Sequence, residues 1–401
     1  MTNMTTLDLF CGAGGITEGF RRAGFECLYG NDFSIDAIST FRKNHPRAEG
    51  VCDTIEALDP RKVRKSIGLG RGELHCLVGG PPCQGFSINA PIRVLDDPRN
   101  SLVRHFLGFV KEFQPRTVLI ENVPGMLSLE GGQVLHEILG ELKEQGYACA
   151  HRILFAAHYG VPQERWRLII LAARTGSAPE HPLPKHDVFA RANFTGGREL
   201  TFRPPYLHEK TLRPMVTVAE ALGDLPVLHS GEGAEMMDYP GPPCSAYSRE
   251  MRKGSPKVWN HWAPRIAQIN LDRLRYIKPG GSWRDIPRDL LPAGMRRART
   301  SDHTKRYGRL RPEGLSGTVM TKMDPHWGAA FHYSQDRTLT VREAARLQSF
   351  PDSYVISGPR VSQYEQVGNA VPPLMARAVA ESLQRFLLQN SECGERRLRI
   401  L

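Results

Sequence analysis

The chain has 401 residues, 40% of them hydrophobic and 24% charged, with a formal net charge of +11; this is the composition of a soluble globular protein with room for two domains, or for one domain with a large insertion. No cationic start followed by an apolar stretch and no run of about 18 apolar residues occurs, so neither a signal peptide nor a membrane span is expected, and the setting is read as cytoplasmic. The eight cysteines, at 11, 27, 52, 76, 83, 149, 244 and 393, are scattered without CxxC pairs, which argues against a disulfide framework and against a zinc site.

The first element is read at Thr5 to Phe10, an apolar strand that turns through Cys11-Gly12-Ala13-Gly14-Gly15 into an amphipathic helix from Ile16 to Ala23. Glycines in such a loop let a ligand approach backbone amides at a helix start. A second strand from Glu26 to Gly30 ends at Asn31-Asp32, where an acid can accept hydrogen bonds from ribose hydroxyls. Asp32 can equally cap the helix that begins near Ser34. Asp53 follows a short run around Val51. The stretch from Leu74 to Val78 reads as a buried parallel strand that stops at Gly79-Gly80. Pro81 and Pro82 then stiffen the turn and carry Cys83 beyond the strand end, where open α/β sheets place their ligands. A lone thiol there is as often a small packed hydrophobe as a nucleophile.

The polar segment from Gln84 to Asn100 exceeds the usual connection length and is read as a lid or binding loop. A helix is expected from Ser101 to Phe113, a strand from Arg116 to Ile120 ending at Glu121-Asn122, a helix over 131–145, and strands over 148–155 and Leu168 to Ala172. The βα alternation predicts an α/β fold, a doubly wound and mostly parallel sheet with an appended hairpin.

From about Arg174 the chain is rich in Pro and Gly, with one helical patch at Val218 to Leu222. Between Leu225 and Arg311 stand 17 Lys plus Arg against 8 Asp plus Glu. Tyr247, Trp259, His261, Trp262, Tyr276 and Trp283 are interleaved with these cations, a pattern suited to phosphates and bases, though a solvated basic face is the plainer reading. The expected organisation is a catalytic and cofactor-binding domain over 1–225, a smaller irregular domain over 226–336, and a return to the first domain over 337–401. Helices are expected at Thr340 to Gln348 and Leu374 to Leu388, with Gln366 to Pro372 between them.

Six blocks carry a resemblance: LDLFCGAGG at 7–15, GPPCQGFS at 80–87, ENVPG at 121–125, QERWR at 163–167, RTLTVREAARLQSFPD at 337–352 and QVGNAVPP at 366–373. In this order and spacing the chain resembles the bacterial cytosine-5 DNA methyltransferases, over almost its whole length. The resemblance implies S-adenosylmethionine as methyl donor on a Rossmann-like methyltransferase sheet. Phe10, Gly12, Gly14, Asp32, Asp53, Asn369 and Val371 would bind it. Asp32 stands where many members carry Glu, and Ala370 where Ser is frequent.

The chemistry gives the implied catalytic residues their purpose. Cytosine carbon 5 is too electron-poor to accept a methyl group until a thiolate adds to carbon 6, the role that falls to Cys83. Charge then left on the ring is relieved by an acid donating to ring nitrogen 3, for which Glu121 must carry a proton at the moment of attack. Taken without the blocks, Glu121 reads as a helix cap. The resemblance sets Arg167 on the base carbonyl oxygen with Arg165 in support, and alternation along a strand would put both on one face. A surface ion pair with Glu164 or a neighbour is their plainer reading. Pro82 and Ser87 would line the base pocket. The target must be flipped out of the duplex, with the segment over 226–336 holding double-stranded DNA and reading its major groove.

Implied partners are double-stranded DNA and, functionally, a cognate restriction endonuclease; a monomer is expected, with no membrane and no metal. An RNA methyltransferase of the same family acting on transfer RNA is the nearest rival, but its usual Cys-Phe-Thr motif is absent. A non-catalytic binding relative would not need the thiol, and a nicotinamide-dependent oxidoreductase leaves PPCQ and ENV without a purpose.

Overall fold

The computed structural model describes residues 4–82, 101–128, 132–174, 176–195, 198–202, 212–299, 301 and 305–398. Cys83, Ser87 and the expected loop over 84–100 lie outside the described residues. Two compact units are present: Met1–Tyr159, Trp166–Pro214 and Val371–Leu401 form the first, and Gly160–Arg165 with Met215–Ala370 the second.

The first unit is built on β1 (Met4–Leu9), β2 (Phe25–Asp32), β3 (Glu49–Cys52), β4 (Cys76–Gly79), β5 (Thr117–Asn122), β6 (Ala148–Phe155) and β7 (Trp166–Ala173). They form one sheet in the order β3-β2-β1-β4-β5-β7-β6. The first five strands run parallel, and β7 is antiparallel to both β5 and β6. Helices α1 (Gly15–Arg22), α2 (Ile35–Asn44), α3 (Pro60–Ser66), α4 (Ser101–Phe113) and α5 (Gln133–Glu144) connect them. Their starts follow from local chemistry: the Ser34 hydroxyl accepts from the Ala37 amide at the head of α2, and Asp59 with Pro60 opens α3. Phe106, Phe109, Val110 and Phe113 of α4 are buried against Leu7, Leu77 and Ile120 of the sheet, as the 3.6-residue repeat requires.

Leu9 pairs with Gly79, and Gly79 with Ile120, so β1, β4 and β5 end at one edge. Strand order reverses between β1 and β4, which is the switch point where open α/β sheets bind ligands. Short pairs formed by β8 (His186–Asp187) with β11 (Arg213–Pro214), and by β9 (Ala190–Thr195) with β10 (Arg198–Phe202), complete the described strands of this unit.

The second unit holds α6 (Val218–Leu222), α7 (Ala246–Met251), α8 (Gln268–Leu274), α9 (Val341–Leu347), α10 (Arg360–Asn369) and the antiparallel pair of β12 (Gly233–Met237) with β13 (Val258–Trp262). Its bounds differ from the expected 226–336 and 337–401 segments: residues 337–370 stay with it, and α11 (Pro373–Leu398) alone continues the first unit. The cause is a buried ionic network on α9. Arg337, Arg342 and Arg346 are fully buried. Arg346 pairs with Asp352 at 2.5 Å and Asp224 at 2.9 Å, and Arg337 with Glu343 at 2.6 Å. Burial alone would raise the Glu343 and Asp352 carboxyls, but the neighbouring guanidiniums overcome it and hold both low.

The aromatic residues expected on a basic surface mostly build this unit instead. Tyr247, His261 and Trp283 are buried. The Tyr247 hydroxyl donates to the Arg346 carbonyl, and His261 bonds Thr340 Oγ1 and the Pro226 carbonyl. Helix α10 was not expected, because Val361, Gly368 and its polar residues give only weak periodicity. Among the described residues the cysteines are free, no group of three metal-ligating side chains occurs, and no helix is long and apolar enough to cross a membrane.

Replacing Arg346 by Ala takes the shared partner from two buried carboxylates, leaving Asp224 with Arg252 and Asp352 with Arg342 and Tyr239, and is expected to cost about 3–5 kcal/mol, read by urea unfolding followed by circular dichroism; a cost below about 1 kcal/mol would deny the network its role. The held-down carboxyls contribute stability above their unfolded pKa, so resistance to urea should fall as the pH drops below about 4.

Candidate active site

At the end of β1 the backbone bends sharply: Phe10, Gly12 and Gly14 all take positive φ, at 58°, 53° and 84°. Only glycine adopts this readily, which explains the loop composition, and a β-carbon at Gly12 would meet nothing within 4 Å. Across the loop, Asp32 at the end of β2 accepts the Gly12 amide on Oδ2 and the Ser34 amide on Oδ1, both at 2.9 Å. It therefore both braces the glycine turn and supports the start of α2. A carboxylate has about four acceptor positions, so the Gly12, Ser34 and Phe33 amides do not fill them all, and burial raises its pKa.

Asn31, the buried neighbour of Asp32, donates to the Asp53 carbonyl at 2.8 Å and the Val51 carbonyl at 3.3 Å, fixing the end of β3. The Asp53 side chain is exposed and accepts the Thr54 amide. Beneath the loop, Asp8 Oδ2 accepts the Thr17 hydroxyl at 2.6 Å, while Oδ1 finds no hydrogen-bond partner among the described residues. Burial pushes this carboxyl up to about 7. Phe33 and Ile35 beside Asp32 are 72% and 62% exposed, large apolar side chains bordering a polar edge. An open glycine loop, a carboxylate with spare acceptors, an exposed second acid and a flat apolar neighbour fit a nucleoside bearing a diol and an amine. S-adenosylmethionine has these features.

The second group stands at the ends of β4 and β5. Pro81 and Pro82 have no amide hydrogen to anchor their turn. Instead the buried Asn122 donates through Nδ2 to the Pro81 carbonyl at 2.9 Å, and accepts the Val123 amide on Oδ1. Glu121 Oε1 pairs with Arg167 Nε at 2.6 Å, with both side chains about seven-eighths buried. A β-carbon at Gly80 would lie 2.9 Å from Glu121 Oε2, so this position must be glycine for the acid to stand over the turn. Glu121 and Arg167 thus meet on neighbouring strands beside Gly80: Glu121 is no helix cap, and Arg167 forms its ion pair with Glu121, largely buried, and not with Glu164.

Arg165 departs from expectation. It precedes β7 instead of alternating along it, is 1% exposed, and donates to the Gly368 carbonyl at 2.9 Å within the second unit. Gln163 and Gln348 complete that arrangement. Gln163 donates to the Leu347 carbonyl and to Gln348 Oε1, and Gln348 donates to the carbonyls of Val367 and Ala370. Asn369 closes α10 with its side chain exposed, and Val371 is buried where the chain re-enters the first unit. Sequence reasoning singled out none of Asn31, Phe33, Asn122, Gln163 and Gln348. Asn31, Phe33 and Asn122 flank chosen residues, and for Asn31 and Asn122 an amide side chain at a strand end, where backbone groups lack ladder partners, was the available signal.

The sequence model of the C-5 cytosine-specific DNA methylases matches residues 4–385. The type II methyltransferase M.AgeI of Thalassovita gelatinovora is 39% identical, with 95% of this chain and 99% of that protein covered. The type II methyltransferase M.DdeI of Desulfomicrobium norvegicum is 34% identical, with 96% and 89% covered. A solved structure described as a prophage-encoded DNA modification methyltransferase (E. coli) shares the fold with a TM-score of 0.71 at 22% identity, over 96% of this chain and 99% of that one. On the family match and the two relatives, the chain belongs to the C-5 cytosine-specific DNA methylases.

Proposed function

We propose that this chain is a site-specific DNA (cytosine-5-)-methyltransferase of a type II modification system, working on duplex DNA in a bacterial cytoplasm. The observation that carries the reading is the Glu121–Arg167 pair beside a proline turn that Asn122 holds by its carbonyl, two residues before Cys83.

A flipped cytosine would meet these groups through its Watson–Crick edge. The Cys83 sulfur adds to carbon 6, and the electron pair of the 5,6 double bond moves onto carbon 5. Glu121, protonated, donates to ring nitrogen 3, and Arg167 donates to the carbonyl oxygen, so the charge that develops is met by groups already oriented. S-adenosylmethionine, when bound, supplies an electrophilic methyl group for carbon 5. Loss of the carbon 5 proton then restores the double bond and expels the Cys83 thiolate. Asp32 and Asp53 would hold the donor's ribose and adenine, Phe10 and Phe33 would flank its base, and Gly12 and Gly14 would admit its methionine portion. Asn369 and Val371 would close the site, and Pro82 and Ser87 would border the base. Basic side chains of the second unit would hold the duplex, and a cognate endonuclease would share its recognition site.

Bisulfite sequencing of DNA from cells expressing the chain should reveal protected cytosines in one short context, absent with Cys83→Ala; unprotected DNA from cells with soluble protein would reject the reading in favour of RNA. Purified Cys83→Ala should still bind the duplex. In Glu121→Gln, turnover should drop about 10²–10⁴-fold while duplex affinity changes far less; equal losses in both would make Glu121 a binding group only. Asp32→Ala should raise KM for S-adenosylmethionine about tenfold or more, through the 1.5–3 kcal/mol typical of hydrogen bonds to a charged group, and leave KM for DNA in place.

A further inference from the structure

Trp327 is 63% exposed, more than any other aromatic residue described in the second unit, and Met320 is 44% exposed. They belong to adjoining segments: Met320 Cγ lies 3.7 Å from where a β-carbon would stand on Gly328, the residue after Trp327. The Arg306 guanidinium sits 5.5 Å from the Trp327 ring centroid, which leaves much of the indole free for a further partner.

The turn that carries Trp327 is firmly built. Its amide donates to the Asp324 carbonyl, Asp324 Oδ1 accepts the His326 amide, and the Pro325 carbonyl accepts the Tyr307 amide at 2.7 Å. His326 lies against the Tyr307 ring at 5.0 Å, and Tyr307 belongs to the buried cluster with Trp283 and Phe331. A rigid, exposed aromatic loses little conformational entropy on binding.

Met320 is joined directly to two of the family blocks. The Ser316 carbonyl accepts the Glu164 amide, Thr318 Oγ1 donates to the Glu164 carbonyl, and Gln163 Oε1 accepts the Val319 amide. A β-carbon at Gly368 would come within 2.6 Å of the Met320 carbonyl group, so α10 presses on this segment where only glycine fits. Met320 therefore stands between the QER segment and the QVGN segment of the same unit. Charge favours a polyanion over a second protein: residues 296–327 contain eight Lys or Arg against three Asp or Glu.

We infer that Trp327 and Met320, backed by Arg306, contact base pairs of the recognition sequence and set part of this chain's sequence preference. Arg306 and its basic neighbours draw the duplex backbone in. The indole and thioether then meet thymine methyl groups or other apolar base edges in a groove, contacts whose loss costs sequence discrimination as well as affinity. The inference rests on the proposed DNA methyl transfer.

The test uses the full chain with Trp327→Ala, Met320→Ala, the conservative Trp327→Phe, and Val227→Ala as an exposed apolar control. Methyl transfer from tritiated S-adenosylmethionine gives KM for duplex DNA and for the donor, and bisulfite sequencing of a randomised duplex library gives the preferred context. Trp327→Ala should raise KM for DNA about 10–100-fold, keep the donor KM, and broaden the preference at one position of the recognition sequence. Met320→Ala should act in the same direction, Trp327→Phe should recover most of the loss, and Val227→Ala should match the wild type. Unchanged DNA KM and context in Trp327→Ala would overturn the inference, as would a change in sedimentation showing that the patch joins two copies of the chain. A wild type that methylates no duplex would reject the proposed function itself and the inference with it.

Discussion

The hydrogen bond from Asn122 to the Pro81 carbonyl is the contact on which the catalytic arrangement turns. Two consecutive prolines make a stiff corner but remove the donors that would tie it down, so the corner must be held from outside. Asn122 does this from the next strand. Alternation along β5 sends Glu121 to the other side, where it meets Arg167. The pairing of Glu121 with Ile169 and Asn122 with Leu168 fixes both at once. A slip of one residue would exchange their sides and lose the clamp and the ion pair together.

The same device recurs at the donor end of the sheet. Asn31 ties the end of β2 to the end of β3, while Asp32 beside it braces the glycine turn. In the second unit, Gln163 and Gln348 perform the equivalent task between segments far apart in sequence. Amide side chains suit this work because each offers a donor pair and an acceptor without charge, and so can be buried among carbonyls at little electrostatic cost.

Much of the first unit was legible in the sequence because its signals are local. The β6 strand over 148–155 and the α4 helix over 101–113 match the expected ranges, since strand alternation and helix periodicity act over few residues. Asp32 supports the helix start, as its capping reading has it, by accepting the Ser34 amide. The second unit was less legible because long-range pairing decides it. The arginines of α9 look like an exposed charged face in sequence, but their partners Asp224 and Asp352 bury them. Tyr247, His261 and Trp283 were read with the surface cations and lie in the core, whereas the exposed Trp327 sits in a turn without periodicity. Arg165 and Arg167 stand two positions apart in one motif, yet a strand start between them sends one to Gly368 and the other to Glu121.

The central claim is that a cysteine at the proline corner bonds covalently to cytosine in duplex DNA. It is tested most directly by incubating the full chain and S-adenosylmethionine with a duplex carrying 5-fluorocytosine at the methylated position. Fluorine replaces the proton whose loss frees the enzyme, so the adduct should persist. Mass spectrometry of the digested complex should then find the nucleotide on the peptide containing Cys83. Methyl transfer to ordinary DNA without any adduct on the fluorinated duplex, or an adduct on a different cysteine, would contradict the mechanism.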